Sequence, residues 1–308
     1  MIQQTSCQVS TVPAGQYPAA VYPPGVYIVG AGPGDLDLIT VKGQQLLQQA
    51  DVVLVADSLV PQQMLQPVRS QVEIIRTANK TLEEIAPIMI ERVRSGQVVV
   101  RLHDGDPCFY GALQEQINLL LAADIPFEIV PGISAYQLAA ARLRVELTVP
   151  EIVQSIILTR ISGRTHVPAA QELASLAAHQ ASLALYLSAR HVQEAQTQLM
   201  QHYPPDTPVA ICFRLGWPDE QIWLVPLEQM AAVSQRENLI RTTMYLISPA
   251  LAAATVPEHY GYPERQTHTA MARSRLYHQS HSHLFRPEPK DHPRPSDGQG
   301  SSSTRTQG

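Results

Sequence analysis

The amino-acid sequence predicts an α/β fold, in two successive α/β units whose parallel or mixed sheets are covered by helices. Three observations carry this expectation. Short β-branched runs alternate with helix-period segments from Gly25 to about Ala254. Several of those runs are apolar throughout, as strands buried on both faces are. Three of them end in turns rich in Gly and Pro, which is how α/β proteins bring backbone up to a ligand at the carboxyl ends of their strands.

In chain order, residues 26–29 read as the first strand and 40–49 as the first helix. Residues 52–56 are an apolar run bounded by Asp51 and Asp57, and 72–75 form a further strand candidate. Thr81-Leu82-Glu83-Glu84 is a capping-box signature, and the helix it opens places Leu82, Ile85, Met89 and Val93 on one face. Strands at 98–102 and 127–130 follow, with a helix between them. Around residues 147–150 the alternation breaks and restarts. Strands are then expected at 152–159, 182–187, 209–213 and 244–247, a short one at 223–225, and helices near 169–178 and 192–201. The expected organisation is an unstructured arm over 1–24, an N-terminal α/β domain over 25–147, a C-terminal α/β domain over 148–254, and an unstructured tail over 255–308. The tail is rich in Pro, His and Ser and holds too little apolar surface to offset the entropy of ordering it.

Composition narrows the function classes. The 308 residues are 44% apolar, enough for a sizeable core, and only 16% charged. Cys7, Cys108 and Cys212 lie far apart with no metal-ligand spacing, so neither a disulfide framework nor a metal site is expected. His268, His278, His281 and His283 cluster in the tail, where either metal binding or a plain unstructured segment suits them. No run reaches the roughly 18 apolar residues of a membrane span, and no signal architecture opens the chain, which fits a cytoplasmic enzyme. The net charge is −5, with −7 on residues 1–254. An acidic core argues against nucleic acid as partner.

The three turns are Gly30-Ala31-Gly32-Pro33-Gly34-Asp35, Arg101-Leu102-His103-Asp104-Gly105-Asp106-Pro107 and Val130-Pro131-Gly132-Ile133-Ser134-Ala135. The first departs from the dinucleotide fingerprint, since Asp35 stands where a third glycine is needed and Pro33 lacks an N–H. Each turn alone is no more than a tight connection. Three at strand ends of one sheet would converge on one crevice.

Together with Leu38-Ile39-Thr40, Lys42-Gly43 and Ala50-Asp51-Val52-Val53, these motifs resemble the tetrapyrrole (corrin/porphyrin) methylases. Asp57-Ser58-Leu59-Val60, Leu147-Thr148-Val149-Pro150-Glu151 with Gln154-Ser155, Ile157-Leu158-Thr159-Arg160 and Trp217-Pro218-Asp219-Glu220 resemble the branch that methylates precorrin-4 at C-11. The resemblance implies a homodimeric enzyme of corrin synthesis, with S-adenosyl-L-methionine held in the cleft between the two units. It places the donor on Pro33, Gly105, Asp106, Ser134, Ala135, Leu187 and Leu215, with Thr242 near the adenine end, and the turn containing Gly32 along the tetrapyrrole trough. The residues agree with it: Gly105 permits close approach, Asp106 offsets positive charge, and Ser134 bonds a polar atom. Leu187 and Leu215 suit an adenine face or plain core packing. Arg160 and Arg164, then Arg101 and Arg214, are candidates for the acceptor's carboxylates. His103 or Asp104 is the candidate proton acceptor, each with a purely structural role as its alternative. Asp104 also departs from the branch, which carries a small residue there. A sibling methylase acting at another ring position or on RNA or protein, and a non-catalytic nucleotide-binding module, are the alternative functions.

Overall fold

The computed structural model describes residues 21–163 and 166–254. The expected arm up to residue 20, Arg164, and the tail from residue 255 with its histidines lie outside the described residues.

The first sheet comprises β1 (Gly25–Gly30), β2 (Val52–Val55), β3 (Glu73–Arg76), β4 (Val98–His103) and β5 (Phe127–Val130), in the order β3-β2-β4-β1-β5. All pairs are parallel, so all five carboxyl ends lie on one edge. Strands β1, β2 and β4 are buried along their whole length, as their uninterrupted Val/Ile/Leu runs require. On one face Val29, Val53, Val100 and Leu102 pack with Leu46 and Leu47 of α1 (Val41–Gln49). On the other, Val26, Ile28, Leu54 and Val99 pack with Ile85, Met89 and Val93 of α2 (Leu82–Arg94) and Leu120 of α3 (Leu113–Ala122). Each such side chain contributes about 1.5–3 kcal/mol by leaving water. Helix α1 starts where the Thr40 hydroxyl accepts from the Gly43 N–H at 3.0 Å. Helix α2 starts at the expected capping box, with the Thr81 N–H donating to Glu84 at 2.7 Å.

The second sheet comprises β6 (Ile156–Arg160), β7 (Ser182–Tyr186), β8 (Pro208–Phe213), β9 (Gln221–Pro226) and β10 (Thr243–Ile247), in the order β6-β7-β10-β8-β9. It is mixed: β6 and β7 are parallel, while β10 is antiparallel to β7 and to β8. The carboxyl ends of β6, β7 and β8 therefore share an edge with the start of β10. One face is covered by α5 (Leu173–Ala177), α6 (Val192–Leu199) and α7 (Met230–Arg236). The other is covered by α4 (Ala135–Leu143), whose Leu138, Ala139 and Leu143 pack against Ala184, Ala210, Met244 and Leu246. Helix α4 follows the last strand of the first sheet yet lies on the second. The small side chains of Ala184 and Ala210 leave room for it.

Two elements differ from expectation. The strand expected from residue 152 begins at Ile156, because residues 149–153 close a turn in which the Val153 N–H donates to Val149 O at 3.0 Å. The helix expected over 169–178 is a 3-10 turn followed by α5, separated by extended backbone at Glu172. Helix α7 carries no sequence signal; seven residues are too few to show a helical period. No helix among the described residues is long and apolar enough to cross a membrane.

Candidate active site

The three glycine turns meet at the carboxyl edge of the first sheet. Gly32 and Gly105 exchange backbone hydrogen bonds, with the Gly32 N–H donating to Gly105 O at 3.1 Å and the Gly105 N–H to Gly32 O at 2.9 Å. A Cβ on Gly30 would lie 2.7 Å from the Gly132 Cα, and one on Gly132 would lie 2.0 Å from Gly105 O. Both are closer than carbon and oxygen tolerate, so these glycines are required by contact between loops. Gly105 differs. Its φ is +54°. A Cβ there would meet the Ser134 Cα at 3.8 Å, an ordinary contact, so this glycine is called for by its left-handed backbone and not by crowding.

Asp106 ties two of these turns together. One carboxylate oxygen accepts from the Gly132 N–H at 2.9 Å and the other from the Cys108 N–H at 2.8 Å. Ser134 is the N-cap of α4, in a second capping box closed by Gln137. Its hydroxyl shares a 2.9 Å hydrogen bond with the Tyr186 hydroxyl, which also accepts from the Tyr136 N–H at 3.1 Å. Tyr186 ends β7, so this contact joins the two sheets' carboxyl edges. The Tyr110 ring packs on the Tyr186 ring with centroids 5.7 Å apart.

Behind the turns lies a buried polar group. Residues 99, 101 and 103 share the α2/α3 face of β4, which puts Arg101 and His103 under α3 instead of in the crevice. Arg101, expected at the acceptor, is enclosed: its guanidinium donates to Leu54 O at 3.3 Å, Thr77 Oγ1 at 3.0 Å and Gln116 Oε1 at 3.4 Å. His103 is 5% exposed and bonded to Gln116 at 3.3 Å. Burial, reinforced by the Arg101 charge, brings its pKa down to about 4. Burial also lowers Arg101 to about 10. Desolvation raises the Asp104 carboxyl, only partly offset by a backbone hydrogen bond and by Arg101.

At the facing edge, Leu187, Arg214 and Thr242 stand side by side, since β10 lies between β7 and β8 and the Arg214 N–H donates to Thr242 O at 2.9 Å. All three have left-handed backbone, with φ of +54°, +49° and +54°. Tyr110, across the crevice, has φ +58°. Strained backbone of this kind gathers where a fold positions side chains for a ligand. Leu187 is 61% exposed, an apolar side chain held out from the edge. Leu215 is buried and packs into the α4-side core. The Arg214 guanidinium lies over the rings of Phe213 and Trp217, 5.1 Å from each, and pairs with Asp219. Arg160 ends β6, half-buried, near enough to Tyr110 to pull its phenol toward ionisation against the larger effect of burial.

The structure thus brings Gly32, Pro33, Gly105, Asp106, Ser134, Ala135, Leu187 and Thr242 to the junction of the two edges. Sequence reasoning missed Tyr110 and Tyr186. The second stands beside Leu187 at a strand end, a position that signals it. The first sits in a loop with no periodicity.

The two edges and the glycine turns between them form the candidate site of an α/β enzyme. The profile of the Tetrapyrrole (Corrin/Porphyrin) Methylases matches residues 25–231, and the chain belongs to that family. It is 41% identical over 261 residues to a cobalt-precorrin-4 C(11)-methyltransferase of Priestia megaterium, covering 84% of this chain and 96% of the relative. It is equally 41% identical to a precorrin-4 C(11)-methyltransferase of Pseudomonas aeruginosa, with 85% and 98% covered. The crystal structure of a cobalt precorrin-4 methyltransferase of cobalamin biosynthesis superposes with a TM-score of 0.71 at 43% identity, covering 73% of this chain and 95% of that one.

Proposed function

We propose that this chain is an S-adenosyl-L-methionine-dependent methyltransferase that methylates C-11 of precorrin-4, or of its cobalt complex, in cobalamin biosynthesis. The single observation that carries this is the meeting of the three glycine turns with the strained edge of the second sheet, in a chain related over most of its length to enzymes of that name.

The donor fits the residues present. Gly105 has left-handed backbone and packs beside Ser134, and Leu187 offers an exposed apolar surface next to Thr242. The donor brings a methyl carbon already activated by its sulfonium, so the protein needs no nucleophile of its own. Its task is to hold donor and acceptor at attack distance away from water, worth up to about 7–11 kcal/mol. Asp106 holds the Gly105 and Gly132 turns in register through its two N–H partners. Ser134 and Tyr186 keep the two edges closed. Arg160, at the end of β6, is the described cation we assign to the acceptor's carboxylates.

Carbon methylation ends with loss of a ring proton. Of the two candidates we take Asp104 as the acceptor, because it stands in the turn beside Gly105 while His103 is enclosed with Gln116 under α3. Arg101 supplies the positive charge beneath Asp104.

We extend the reading to a cytoplasmic homodimer, which sedimentation of the purified chain tests. The function itself is tested by incubating the protein with S-adenosyl-L-methionine and either precorrin-4 or cobalt-precorrin-4. The expected product carries one added methyl at C-11 by NMR, and the faster acceptor identifies the metal state used. No methylated product from either acceptor would overturn the assignment.

A further inference from the structure

Turn 30–35 is also held from a second direction. It meets turn 214–220, which joins β8 to β9 in the second sheet. The contact is so close that side chains are excluded on both sides. A Cβ on Gly34 would lie 2.7 Å from the Trp217 Cδ1, and one on Gly216 would lie 2.6 Å from the Asp35 amide nitrogen. Two side chains from other places in the chain, Gln63 and Arg142, hold the turns together. Gln63, following β2, donates from its amide to Gly34 O at 2.6 Å and to Gly216 O at 3.2 Å. Arg142 of α4 donates from Nε to Glu220 at 3.0 Å and from Nη2 to Asp35 at 3.4 Å. The other Glu220 oxygen accepts from the Gly216 N–H at 2.6 Å, and that side chain is only 10% exposed.

We propose that Gln63 and Arg142 are positioning residues for the acceptor: they pin turn 30–35 to turn 214–220 and so fix the wall against which the macrocycle lies. This rests on the reading above, in which turn 30–35 lines the trough. Gln63 binds a carbonyl of each turn, so neither turn can shift without losing a bond. Arg142 adds a charge-matched link between the same turns and carries α4, and hence the second sheet, with them. Most of the donor-side residues (Gly105, Ser134, Leu187, Thr242) lie on other loops. Loosening the clamp therefore acts on the ring more than on the donor.

The chain has two tryptophans, so in a Trp223→Phe background Trp217 alone reports docking of the turns. Gln63→Ala and Arg142→Ala should each shift its emission to the red. They should also raise KM for the ring roughly tenfold, the scale of one lost charged hydrogen bond. Donor Kd by calorimetry should stay within roughly threefold, since an effect confined to KM marks lost binding of one substrate. Arg142→Lys should recover part of the loss. Unmoved emission and KM in folded variants would overturn the clamp. So would donor Kd, ring KM and thermal midpoint all worsening together, which marks a scaffold role. If the unmodified protein methylates neither acceptor, the functional reading fails and the acceptor role with it; normal turnover with unmoved variants sinks the clamp alone.

Discussion

Leu187 combines two properties that stability alone would not select: a left-handed backbone and a side chain 61% exposed to water. A leucine in that conformation costs roughly 1–2 kcal/mol over glycine. Leu187→Gly should therefore leave the thermal midpoint unchanged or raise it, while calorimetry shows donor affinity weakened by roughly 1–2 kcal/mol of lost apolar contact. Equal donor affinity in the variant would return Leu187 to a structural role. His103 makes a different prediction. Its folded pKa of about 4 lies below the ordinary imidazole value of 6.5, so the unfolded chain binds the extra proton first. Stability is unaffected above about pH 6.5, falls as pH drops through that window, and has lost about 3 kcal/mol below pH 4. In His103→Gln, urea midpoints between pH 7 and 4 should fall less steeply than in the parent protein. A parallel fall would mean that the imidazole is hydrated in solution.

The two capping boxes separate an element's stability from its function. Thr81 starts α2, which covers the first sheet far from the crevice, and Ser134 starts α4 at the junction of the edges. Thr81→Ala and Ser134→Ala should each cost about 1 kcal/mol in chemical unfolding. Only the second should also depress kcat/KM, because it removes the partner of Tyr186 as well as the cap. Equal loss of activity in both would show that the effect is a general loosening of the helices. Helix α4 matters for a further reason. It leaves the first sheet and packs on the second, so the expected division at residue 147 falls after an element that already belongs, by packing, to the second sheet.

For the whole molecule, charge is the instructive quantity. Residues 1–254 carry a net −7, yet the proposed acceptor is a polyanion. Attraction must then be local, at arginines on the crevice edge, and not a field of the whole surface. Of the four arginines expected there, Arg101 is enclosed beneath the sheet edge, Arg214 is paired with Asp219, and Arg164 lies outside the described residues. Arg160, at the carboxyl end of β6 with its guanidinium donating to Ile161 O at 3.4 Å, carries the prediction by its position. Arg160→Ala should raise KM for the acceptor by a factor consistent with roughly 1.5–3 kcal/mol, with kcat little changed, in steady-state assays at low salt. An unchanged KM would move ring recognition to other groups.

The sequence by itself determined the alternation of strands and helices, the strands buried on both faces, the helix starts at Thr40 and Thr81, and the glycine turns at three strand ends. These rest on interactions within a few residues, where period, cap and turn chemistry are all written locally. The motifs also carried the resemblance to the family, because each is a short run of consecutive residues. Tertiary structure alone decided which loops meet. The enclosure of Arg101 under α3, the use of Asp106 as a clamp for two backbone N–H groups, the crossing of α4 to the second sheet and the reach of Gln63 to Gly216 each join positions distant in the chain. Such contacts follow from how two finished sheets pack, and no local pattern encodes them.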